Sequence, residues 1–171
     1  MPAASRSDIR ITALERFWVI PPVPAAAWLQ AFDEAPETLA GLFPGLVDPE
    51  DLDDMLYRLI EIPDSQARCQ RAARKLLQYE TRMEWVMAWN LMRICRGVWL
   101  WLNGVLIRQG VNAAELPLAD WLHAAYTLLY EGKDEKGRVA FESELMMAPR
   151  GEHVTVSVRA QRRSALAFAA D

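Results

Sequence analysis

The sequence predicts a mainly α, single-domain helical bundle around a central Trp-rich helix, with a short extended segment at its N-terminal side. Three observations carry that prediction. Apolar residues recur at three- and four-residue spacing from Leu52 onward, the period of a helix with one buried face. Prolines cluster before residue 64 and after residue 116, so that Ser65–Gly110 runs without one. The chain has 171 residues, 52% hydrophobic and 25% charged, which is enough apolar material for one folded core and too short a chain for two comfortable ones. The expected organisation is an N-terminal tail over residues 1–9, a helical domain over 10–151 and a loosely ordered tail over 152–171.

Arg10–Ile20 is rich in β-branched and aromatic residues and runs into Pro21, Pro22 and Pro24, so it reads as a short extended segment with a polyproline-like stop. Ala25–Glu34 reads as a short helix. Leu39–Asp48, with Gly41, Pro44 and Gly45, reads as a turn-rich connection. Asp48-Pro49-Glu50-Asp51 is a helix start: a capping Asp, a proline in the first turn, then acids that favour the helix dipole. Leu52, Met55, Leu56, Leu59 and Ile60 follow on one face. Pro63 ends this helix, and Asp64 or Ser65 can cap the next.

Ser65–Gly110 reads either as one long helix or as two broken near Tyr79–Arg82, and the pattern leaves both open. Its first half is basic and polar; its second is apolar around most of its circumference, as an interior helix is. On a helical wheel Asn90, Arg93, Gly97, Gly104 and Arg108 gather on one strip. Arg96 and Asn103 fall nearer the side of Trp85, Trp89 and Trp99. Trp85–Ile107 is nearly long enough to span a bilayer, but each central Arg would cost about 2.5–3.5 kcal/mol there. A buried helix is the better reading, and no membrane partner is expected. Gly110 is a natural C-cap, Leu118–Tyr130 is an amphipathic helix, and Asp134–Met147 is a more charged one stopped by Pro149. Val154–Val158 has strand character within the expected tail.

Charge is unevenly placed. The net charge is −4, yet residues 1–63 carry a balance of −7 and residues 64–108 one of +5. The two regions therefore attract each other in the fold, or each faces a partner. A net acidic chain is no nucleic-acid binder of the usual kind, which shows a dominant basic surface. Cys69 and Cys95 lack metal-ligand spacing, and residues 1–10 lack the apolar run of a secretion signal, so reduced thiols in the cytoplasm are expected.

No sequence pattern for phosphate cradling, zinc or thiol redox chemistry is present, and no cofactor or enzymatic activity is expected. Cys95 with His123 is the nearest approach to a nucleophile–base pair; a buried structural cysteine and a helix-packing histidine explain them better. The carboxylate pairs Asp53/Asp54 and Glu142/Glu144 read as solvated helix faces. The basic stripe Arg68, Arg71, Arg74 and Lys75 reads as a solvated face or as a dock for the acidic Asp48–Asp54 region, without stacking aromatics on it. Arg93 and Arg96 sit one turn from Trp89 and Trp99, in range for cation–π contacts. The sharpest signal is the tryptophans. Trp85, Trp89 and Trp99 fall on one broad face while Trp101 points elsewhere. They are core, or some are exposed and bind protein. The candidate protein-binding residues are Trp18, Trp85, Trp89, Trp99, Arg71, Arg74 and Lys75.

The order of these features resembles a known family. An aromatic-plus-proline segment (Phe17–Phe32) precedes an acidic Leu-rich helix, a Trp-rich helix, and LPLADWLHAAYTLLYEG running into DEKGRVAFESELMMAPRG. Its most specific part is the ending, with Asp134, Lys136, Arg138, Phe141, Leu145, Pro149 and Gly151. Over roughly residues 10–151 this is similar to the tail assembly chaperones of long-tailed phages infecting actinobacteria. The resemblance implies a non-enzymatic factor in the host cytoplasm that binds the tape measure protein, keeps it soluble and helps recruit tail tube subunits, with self-association as a further expectation. It also implies that this chain is the short form of a pair whose longer form arises by programmed frameshift. The competing reading is a structural virion component, a head–tail connector or minor tail protein.

Overall fold

The computed structural model describes residues 8–34, 39–113 and 115–148. The segments 1–7 and 152–171, the stop at Pro149, Gly151 and the expected strand Val154–Val158 lie outside these residues. The described residues form a mainly α single-domain bundle of seven α-helices beside one two-stranded sheet.

The N-terminal extended segment is a hairpin. Strands β1 (Ile9–Ala13) and β2 (Arg16–Ile20) pair antiparallel with Ala13 opposite Arg16, which leaves Leu14 and Glu15 as a two-residue turn. Both have positive φ, 51° and 61°, the left-handed geometry a tight hairpin turn demands. Neither is the Gly or Asn that normally signals it. Leu14 is held there by burial and by Arg58, whose Nη1 donates to its carbonyl at 3.1 Å. Ile11, Ala13, Trp18 and Ile20 face the core, and the Trp18 indole donates to the Ala13 carbonyl at 2.7 Å.

Helix α1 (Ala25–Glu34) starts where the Ala25 N–H meets the Leu116 carbonyl at 2.8 Å. The expected turn-rich connection instead carries a one-turn helix α2 (Leu39–Leu42) and a 3₁₀ turn (Pro44–Leu46). Leu39, Leu42, Phe43 and Leu46 are all buried, and that burial outweighs the local turn signals. Asp48 caps a 3₁₀ turn by accepting from the Glu50 N–H at 3.0 Å, and α3 (Leu52–Glu61) follows. Neither expected cap of the next helix forms. Asp64 takes positive φ with no side-chain bond, and the Ser65 hydroxyl donates backward to Leu59.

The long proline-free stretch is two helices, α4 (Ser65–Thr81) and α5 (Trp85–Arg108). Arg82 adopts φ 58°, and Thr81, fully buried, donates to the Leu77 carbonyl while accepting from the Met83 N–H. Gly110, at φ 77°, closes α5 with its N–H on Ile107 and the next N–H on Leu106. Helix α6 (Leu118–Glu131) and helix α7 (Glu135–Leu145) complete the bundle. Asp134 caps α7 on the Gly137 N–H at 2.8 Å, and a Cβ at Gly137 would strike that carboxylate. No helix among the described residues is long and apolar enough to cross a membrane.

Candidate protein-docking surface

The seven tryptophans divide by burial in a way the helical wheel does not foretell. Trp18, Trp28, Trp89 and Trp121 are buried, and Trp85 and Trp99 are half-buried. Trp101, which the wheel sets apart from the others, is the most exposed at 51%. Trp18 and Trp89 are therefore corrected from candidate binding residues to core: Trp18 packs edge-on against Phe43, and Trp89 against Phe32 with ring centroids 4.6 Å apart. Trp85 lies under the Arg74 guanidinium at 4.5 Å, so the basic stripe does own one stacked aromatic, from the next helix. Trp99 stacks obliquely on Trp121 at 5.0 Å and lines a cleft of about 370 Å³ with Ala26, Leu29, Gln30, Asp33 and Arg96.

Helix α5 changes character along its length. In its first half, Asn90 is buried and donates to the Leu145 and Met147 carbonyls at 3.0 and 2.7 Å, which ties the end of α7 against it. Arg93 then pairs with Glu144 at 3.1 Å, and Arg96 pairs with Asp33 of α1 at 2.6 Å. These ion pairs replace the expected cation–π contacts with Trp89 and Trp99. Beyond Arg96 neither neighbour covers this side. Leu100 is 86% exposed and Ile107 is 65% exposed, with Trp101 between them. At 100° per residue these share one arc with Gly97, Gly104 and Arg108.

The glycines sharpen the reading. A Cβ built at Gly97 or Gly104 meets nothing within 4 Å, and neither residue takes the positive φ that would require glycine. Each costs the helix about 1 kcal/mol relative to alanine. Among the described residues nothing repays that cost. Two notches one heptad apart, flanked by Leu100, Trp101 and Ile107, are what a second helix needs to approach closely. The surface is thus an apolar helix face with two notches and a rim of Arg93, Arg96 and Arg108.

Other candidate residues are not gathered here. Arg71 and Lys75 are exposed on α4, and Arg68 pairs with Glu15 at 3.4 Å. The acidic region does not dock on that stripe. Arg16 holds Asp51 at 2.6 Å and also Asp54, which Arg58 binds at 3.0 Å. Arg16 first, and Arg58 second, hold the Asp54 carboxyl below its ordinary value of 3.8. Burial pushes the Cys95 thiol up to about 12 and that of Cys69 to about 11, which makes both poor nucleophiles. His123 is exposed, with Nδ1 2.9 Å from the Ala119 carbonyl, and no hydrogen bond links it to Cys95. Among the described residues no group of three or more His, Cys, Asp or Glu could hold a metal ion.

No protein-family model matches the sequence, and comparison with curated proteins and with solved structures finds no match.

Proposed function

We propose that this chain is a phage tail assembly chaperone that acts in the host cytoplasm. In that role it binds amphipathic helices of the tape measure protein, keeps them soluble and passes them to assembling tail tube subunits. The observation that carries the reading is the uncovered face of α5. Leu100, Trp101 and Ile107 supply apolar contact, and Gly97 and Gly104 allow a helix backbone to come near. An exposed apolar helix face with a polar rim suits helix-in-groove capture of an amphipathic client. The order of sequence features resembling tail assembly chaperones supports the same reading. Arg71 and Lys75, both exposed on α4, offer a second, basic contact for acidic segments of a client or of a tube subunit.

Co-expression with the tape measure protein is the test. The wild-type chain should hold it in the soluble fraction and co-purify with it, and Leu100→Glu should lose both. A tape measure that stays insoluble beside well-folded wild-type protein overturns the proposal. Mass spectrometry of mature particles addresses the other reading, since a chaperone is absent from them and a connector or minor tail protein is retained.

A further inference from the structure

We infer that, in the free protein, the open half of α5 pairs with the same half of α5 in a second copy, the two helices running antiparallel about a twofold axis level with Leu102. The register follows from the spacing along the helix. Gly97 and Gly104 stand one heptad apart, and Leu100 and Ile107 each follow one of them by three residues. In heptad terms the glycines hold the a positions of this face and the large aliphatic residues its d positions. Antiparallel helices in knobs-into-holes contact lay each d position over an a position of the other helix. Leu100 then sits over Gly104 of the second copy and Ile107 over its Gly97, and symmetry repeats both contacts. Each of these large side chains is exposed, and each glycine has open space where a Cβ would stand. Trp101 lies beside the axis and meets its own counterpart.

The extent of the open surface fits the same axis. Helix α7 closes this side of α5 as far as Arg93, through the Asn90 bonds and the ion pair with Glu144, and α1 makes its last ion pair at Arg96. Gly97 to Arg108 is left open, and its midpoint falls between Leu102 and Asn103. A second α5 in this register overlaps that stretch end to end and runs out at Arg96, short of α7. Charge permits the pair without selecting it. Arg93 and Arg96 are neutralised within their own chain by Glu144 and Asp33, and Arg108 stands exposed at the end of the face. The twofold sets the two Arg108 about 18 Å apart along the axis, beyond the Debye length of about 10 Å at 0.1 M salt. Area sets the strength. Leu100, Trp101 and Ile107 expose on the order of 400 Å² per copy, about half of what each partner brings to a stable interface, so the pair is weak and reversible. A twofold contact covers both faces at once, where a head-to-tail contact leaves one open at every end. The inference stands on the register of α5, whatever the identity of the client.

Sedimentation velocity on the purified protein, from low micromolar to near-millimolar concentration, tests this without any client. Wild type should pass from monomer to dimer and no further, with association undiminished at high salt. Leu100→Glu alters an exposed side chain, so its circular dichroism should match wild type while association weakens about tenfold or more. Gly104→Leu is the sharper probe, because it adds apolar surface and fills the notch that Leu100 of the other copy enters. It should weaken the dimer, and Leu100→Ala placed in the same chain should restore it by exchanging large for small. Ile60→Glu, on the exposed side of α3, should leave the dimer as it was. A wild-type chain that is monomeric throughout overturns the inference and leaves the face to a client alone. So does a Gly104→Leu chain that associates as tightly as wild type or more so, a double variant that regains nothing, or a dimer lost on Ile60→Glu. The tape measure test above would be unaffected by any of these failures.

Discussion

The two halves of α5 are close in composition and opposite in surroundings. From Trp85 to Met92 the helix is enclosed: Trp89 packs on Phe32 of α1, Asn90 receives the end of α7, and Val86, Ala88, Leu91 and Met92 are buried. From Arg93 to Arg108 one side is packed through Cys95, Leu102 and Leu106, and the other carries Leu100, Trp101 and Ile107 into solvent. Hydrophobicity alone does not separate the buried half from the exposed one. What separates them is where the neighbouring helices end, and α1 and α7 make their last ion pairs with α5 at Arg96 and Arg93.

Substitutions that treat the halves alike should therefore give unlike results. The largest contrast is between Trp89→Ala and Trp101→Ala. The first empties a core site and should cost about 3–5 kcal/mol in chemical denaturation, and the second should stay within about 1 kcal/mol of wild type while weakening docking. Asn90→Ala comes next, at about 2 kcal/mol, because it strips two backbone carbonyls of their donor. Hydrogen exchange should then rise in α7 and leave the second half of α5 unchanged. Gly97→Ala and Gly104→Ala invert the usual sign. Each should stabilise the fold by up to about 1 kcal/mol, since the added methyl has free space, and each should weaken docking by filling a notch. A variant that is stabilised with docking intact would leave these glycines unexplained.

The smallest effect lies away from α5 and serves as its control. Asp54 is held below the ordinary carboxylate value, chiefly by Arg16. Its contribution to stability is fully present above that ordinary value and is lost as pH falls through the lower value of the folded protein. Asp54→Asn should remove that part of the acid limb in pH-dependent unfolding and leave the exposed face of α5 as it was.

Much of the helical scaffold was legible because its signals are local. The apolar spacing of α3 and α6, the helix start at Asp134 and the Gly110 stop all fall where short-range chemistry puts them. The hairpin turn at Leu14-Glu15 and the break at Arg82 were not, because both place ordinary residues at positive φ and rely on burial of Leu14 and Thr81 to hold them there. The candidate docking surface was half legible. The strip Asn90, Arg93, Gly97, Gly104 and Arg108 is readable from a wheel, but its division into a covered and an open part is set by helices more than forty residues away in the chain. For the same reason the wheel could group Trp85, Trp89 and Trp99 as candidates and pass over Trp101.

Hydroxyl-radical footprinting of Trp89 and Trp101 in one sample tests most directly whether the open half of α5 is a docking surface. In dilute free protein Trp101 should oxidise readily and Trp89 hardly at all. In the complex with the tape measure protein, or at concentrations where the chain self-associates, Trp101 should become several-fold less reactive while Trp89 is unchanged. A Trp101 that stays as reactive in the bound protein as in the free one would contradict the account.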